Sequence, residues 1–76
     1  MNNNQRKELA KIIDRIEEIK NDIEYVRDGE QEKIDNMPDN LQGSEKCSLM
    51  EEAVSNLDDA LGQLEDVIEY INSATE

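Results

Sequence analysis

Carboxylates dominate the side chains of this chain that could do chemistry. They stand in pairs at Glu17-Glu18, Glu51-Glu52, Asp58-Asp59 and Glu65-Asp66, and carboxylates bind hard cations such as Mg²⁺ or Ca²⁺. Little else is available to complete an active site. There is no His and a single Cys, Cys47, which leaves no nucleophile–base pair, no Glu-x-x-His for a di-iron bundle and no Cys/His set for zinc. The run Asp35-Asn36-Met37-Pro38-Asp39-Asn40 lacks the spacing of a Ca²⁺-binding EF-hand loop. An all-α, Mg²⁺-dependent nucleotide pyrophosphatase would use acidic clusters such as Glu17-Glu18 or Glu51-Glu52. It would also need cations for the phosphates, and residues 47–76 contain none. The expectation is a protein without catalysis, bound metal or cofactor. Cys47 reads first as a small buried core residue. The alternative is a thiol in a first helical turn, activated by the helix dipole.

Charge is distributed unevenly. Twenty Asp and Glu oppose eight Lys and Arg over 76 residues, for a net charge of −12. Such a field disfavours direct binding to nucleic acid. No apolar run approaches the roughly 20 residues needed to span a bilayer. The polar start Met1-Asn2-Asn3-Asn4-Gln5 has no apolar segment behind it, so no secretory signal is expected. With one unpaired Cys the expected compartment is the cytoplasm.

The elements that must carry these groups follow from apolar spacing. Leu9, Ile12, Ile13, Ile16, Ile19, Ile23 and Val26 recur at helical intervals. Taken as heptads, Leu9, Ile16 and Ile23 form one lane and Ile12, Ile19 and Val26 the other. Beyond Val26 the pattern reaches Glu30 and Lys33, and Ile34 and Met37 resume it one place out of step. This predicts a stutter in a helix of about residues 4–36. Met37-Pro38 ends that helix, and residues 37–44 form a connector rich in turn formers. Leu41 is expected to plug the end of the core, or else to touch a partner. A second helix of about 45–72 starts at Ser44 or at the capping box Ser48…Glu51, with Ser44 favoured. Its apolar lanes are Cys47-Val54-Leu61-Ile68, Met50-Leu57-Leu64-Ile71 and Ala53-Ala60-Val67-Ala74.

The fold expected is therefore all-α: one domain over 1–76, an antiparallel helical hairpin. Two helices alone make a poor core, so a homodimeric four-helix bundle is expected. Its core and dimer contacts would be Ile12, Ile16, Ile19, Ile23, Val54, Leu57, Leu61, Leu64, Ile68 and Ile71. In that hairpin Arg6, Lys7, Lys11 and Arg15 would face Glu65, Asp66 and Glu69. Tyr25 and Tyr70 are expected to pack at the core boundary, or to serve as interface hot spots. Met37 and Met50 should fill gaps near the hairpin tip.

The connector Asp35-Asn36-Met37-Pro38-Asp39-Asn40-Leu41-Gln42-Gly43-Ser44-Glu45 resembles a segment of small acidic helical proteins from phages and mobile elements of Gram-positive bacteria. The likeness in plan covers roughly residues 8–72. It implies a setting in which small acidic proteins commonly inhibit host defence, and it carries no enzymatic motif. The function expected is binding to a host protein, such as a nucleic-acid-binding defence protein, in the host cytoplasm. The contact residues expected are Asn36, Pro38, Asp39 and Leu41 in the connector, and Asp58, Asp59, Glu65 and Asp66 on the second helix. The last four would act by mimicking the charge of DNA. The alternative functions are a structural bundle component of a virion or other assembly and, behind it, an Mg²⁺-dependent all-α nucleotide pyrophosphatase-like enzyme.

Overall fold

A computed structural model describes residues 1–76: helix α1 over Asn3–Asp35, a 3₁₀ turn over Asp39–Leu41 and helix α2 over Glu45–Ala74. The two helices fold back on each other as a hairpin measuring 59 × 15 × 12 Å between Cα atoms.

Each helix starts on a side-chain cap. Asn2 and Gln5 form a reciprocal capping box at α1: the Gln5 amide donates to Asn2 Oδ1 at 2.8 Å, and the Asn2 amide donates to Gln5 Oε1 at 3.1 Å. At α2 the start is Ser44, whose Oγ accepts from the Cys47 amide at 3.2 Å, so Ser48 lies within the helix. Pro38 cannot continue α1. The chain then reverses through hydrogen bonds from Leu41 N to Pro38 O and from Ser44 N to Leu41 O, and the Gln42 side chain donates to Met37 O at 3.0 Å.

The protected face of α1 differs from the one its apolar residues alone suggest. Arg6, Leu9, Ile13, Ile16, Lys20, Ile23, Arg27, Glu30 and Ile34 are half-buried or buried, an unbroken alternation of three- and four-residue steps. Two lanes therefore run the length of the helix, Arg6-Ile13-Lys20-Arg27-Ile34 and Leu9-Ile16-Ile23-Glu30-Met37. The expected stutter is absent. Lys20, Arg27 and Glu30 occupy seam positions with their long aliphatic stems, so the register never shifts. Ile12 and Ile19, expected among the core and dimer contacts, lie outside the seam of the single hairpin at 37% and 51% exposure, and Val26 is 60% exposed.

On α2 the lanes through Cys47 and Met50 are the protected ones. Cys47, Leu61 and Ile68 are buried, and Met50, Val54, Leu57, Leu64 and Ile71 are half-buried. Ile34 and Cys47 close the tip. Leu41 does not plug it: the tight 3₁₀ turn carries this residue outward, and it is 46% exposed. Tyr25 and Tyr70 are also not boundary residues, because they project to solvent at 82% and 77% exposure.

Gly29 and Gly62 lie inside the helices with ordinary negative φ, and a Cβ at either position meets nothing within 4 Å. Gly29→Ala and Gly62→Ala should each stabilise the fold by about 0.5–1 kcal/mol, since Gly costs about that much in a helix interior. Thermal unfolding followed by circular dichroism should show a higher Tm for each variant. A lower Tm at Gly62→Ala would mean that this site is covered by something other than solvent.

Candidate protein-interaction surfaces

The ion pairs between the helices give the hairpin two unlike flanks. Lys20, one of only five buried residues, bonds Glu65 of α2 through Nζ and lies 3.7 Å from Glu17 of its own helix. Two turns on from Lys20, Arg27 reaches Asp58 at 2.8 Å and Asp28 at 3.0 Å. Glu65 and Asp58 are seven residues apart, as are Lys20 and Arg27, so a single register satisfies both pairs.

Glu17 precedes Lys20 by one turn, and Glu65 follows the seam residue Leu61 by one turn. Lys20 touches both, so the residues a turn beyond the seam in each helix share one flank. That flank carries Glu17, Glu24, Glu51, Asp58 and Glu65, and Glu52, Asp59 and Asp66 lie about 100° further round α2, on the side facing away from α1. The opposite flank then falls to Ile12, Ile19 and Val26 of α1 and to Ala53, Ala60 and Val67 of α2.

The hydrogen bond from Lys20 to Glu65 holds the ammonium above its ordinary pKa against the opposing effect of burial, and Glu17 adds to it. Asp58 and Asp28 raise the Arg27 guanidinium in the same way. For Cys47, burial is the leading cause of a raised thiol pKa. Its Sγ donates to Glu51 Oε1 at 3.5 Å, and the Glu51 charge opposes a thiolate. The dipole of α2, which favours a thiolate at this position, is therefore outweighed. Cys47 is a packing residue with no accessible surface.

The eight expected contact residues do not form one site. Asn36, Pro38, Asp39 and Leu41 cluster at the tip and are exposed. Asp66 lies 22 residues beyond Ser44, roughly 33 Å along α2. Within the acidic set, Asp58 and Glu65 are committed to Arg27 and Lys20. Asp59 and Asp66 enter no ion pair and are exposed.

The expected pairing of Arg6, Lys7, Lys11 and Arg15 with the end of α2 does not occur. Arg6 instead donates through Nε to Thr75 O at 3.0 Å, so a cation meets the carbonyl end of the helix. Lys11 pairs with Glu8 at 3.8 Å on its own helix. Lys20 and Arg27 were missed as functional positions, although the seven-residue lane linking Ile13 to Ile34 runs through both.

Glu17-Glu18 and Glu51-Glu52 lie about 25 Å apart along the hairpin in this register, too far to share an ion. No group of three or more His, Cys, Asp or Glu is arranged to hold a metal. An open depression of about 400 Å³ at the α1 start is lined by Met1, Asn2, Asn4, Gln5, Glu8 and Leu9, a set without a reactive pair. No helix is long and apolar enough to cross a membrane. No protein family, curated protein or solved structure compared with the chain matches it.

Two measurements test this geometry. Cys47 should react slowly with an aromatic disulfide reagent at pH 8 and at once in denaturant; equal rates would refute its burial. The Lys20 pKa is raised on folding, so its stabilisation is complete below the unfolded value near 10.5 and is lost as pH rises through the folded value. Stability measured from pH 9 to 12 should therefore fall more steeply in the wild type than in Lys20→Met. Parallel profiles would remove the Lys20–Glu65 pair from the account.

Proposed function

We propose that this chain is a small acidic binding protein, a phage or mobile-element inhibitor that occupies the basic surface of a host nucleic-acid-binding or defence protein. It acts by binding and not by catalysis. The observation that carries the reading is the one-sided charge of α2. From Cys47 onward the chain has eight acidic residues and no basic one, and solvated helices ordinarily mix both signs. With Asp58 and Glu65 held by α1, the carboxylates left for a partner are led by Glu52, Asp59 and Asp66. They recur every seven residues, about 10.5 Å apart, a row of negative charge suited to a groove that binds phosphates. The resemblance of the connector to proteins of Gram-positive phages and mobile elements supports the host setting and a cytoplasmic site of action. The chain is proposed to work as a homodimeric four-helix bundle that does not itself bind nucleic acid.

A second reading, a structural component of a virion or larger assembly, draws on the apolar flank of the hairpin. It requires association beyond a dimer.

The test is affinity capture from a Gram-positive host lysate at low and high salt, with duplex DNA as competitor. The expected result is a nucleic-acid-binding protein that high salt releases and DNA displaces. Asp59→Lys with Asp66→Lys should weaken capture by about tenfold or more, since charge reversals at an electrostatic interface cost on the order of 1–2 kcal/mol. Loss of capture with Leu41→Ala instead, with little salt dependence, would move the contact to the connector. Indifference to both sets would refute both surfaces.

A further inference from the structure

We infer that the flank built from Ile12, Ile19 and Val26 of α1 and Ala53, Ala60 and Val67 of α2 is the surface on which a second copy of this chain docks. The inference rests on the dimer reading above and assigns it an interface. Ile12, Ile19, Val26 and Val67 are 37%, 51%, 60% and 41% exposed. They are aligned at seven-residue intervals, so they form a continuous strip and not scattered apolar residues.

The area agrees with a dimer. The chain exposes 5765 Å², whereas a compact monomer of 8.7 kDa exposes about 4,700 Å². The excess, roughly 1,000 Å², is close to the ~800 Å² that each partner contributes to a standard interface. Burial within one chain is correspondingly thin: five residues of 76, with only Cys47 fully enclosed.

The charge layout selects a copy of this chain over a basic or nucleic-acid partner. A chain of net charge −12 repels its own copy unless the carboxylates turn away from the contact. Here the interhelical ion pairs hold Asp58 and Glu65 on the far flank, and the six strip residues carry no charge. Two hairpins meeting through this strip bury the Ile and Val side chains and leave an acidic row on each outer side. A cationic partner is drawn to the outer sides, which leaves the strip free for self-association.

Sedimentation equilibrium should give twice 8.7 kDa for the wild type at micromolar concentration. Ile19→Asp and Val67→Asp should each raise the dimer dissociation constant by about 100-fold or more, since each buries an unpaired carboxylate. Asn21→Asp, on the opposite side of α1 and exposed, should leave it unchanged. Because a variant deprived of its dimer contact can lose its fold, isotope-filtered NMR on mixed labelled and unlabelled wild type gives an independent reading. Intermolecular contacts should involve the Ile19 and Val67 methyl groups. A wild-type dimer whose intermolecular contacts omit both methyl groups would overturn the assigned face and leave the dimer standing. A monomeric wild type would overturn the dimer itself and assign the strip to a different chain.

Discussion

A seam between two helices holds this molecule together, and that seam has too few apolar residues for its length. Of the eleven protected positions of α1 from Arg6 to Ile34, three are cations, two are Glu24 and Glu30, and one is Gln31. Lys20 and Arg27 serve the seam in two ways. Their stems cover apolar surface, and their charged ends bond Glu65 and Asp58. Each ion pair is partly solvated and contributes modestly to stability. Both are satisfied by the same register, and a slip of one residue would break both while turning the α2 lanes off the contact. The pairs act chiefly as a register device, as flanking charges do in coiled coils.

The division of the surface follows from that register. Once Lys20 draws Glu17 and Glu65 to one side, Glu51 and Asp58 lie there with them, and Glu52, Asp59 and Asp66 face away from α1. The Ile12 and Val67 strips must then lie on the other side. The strip proposed for a second copy and the carboxylates proposed for a basic partner are therefore different surfaces of the hairpin. Cys47 belongs to the same arrangement. It closes the tip beside Ile34, and burial together with Glu51 keeps it a thiol.

Much of the fold was legible in the residues. The three-and-four spacing of Leu9, Ile16 and Ile23, the break at Met37-Pro38 and the cap at Ser44 are local signals, and local hydrogen bonding and sterics decide them. The Asn2–Gln5 capping box is equally local, an Asn followed three residues later by a Gln. The candidate site was legible as a list of residues and not as an arrangement. Asp58 and Asp59 are adjacent in the chain, yet one is bonded to Arg27 and the other is free. Neighbouring helical positions point about 100° apart, and nothing in the sequence of α2 says which of the two meets α1.

The sequence by itself therefore determined two helices, one connector, an absence of the groups most enzymes need and a second helix without a cation after Lys46. These depend on composition and on contacts within a few residues. Only the tertiary structure decided which lane of α1 is the seam. Ile12 and Ile19 are the more hydrophobic choice, but the observed register lets Lys20 and Arg27 meet carboxylates across the hairpin while Ile13 and Ile34 stay covered. That choice depends on the partner helix as much as on α1. It is also why the exposed apolar strip, the main clue to a second copy, could not be read before the two helices were placed side by side.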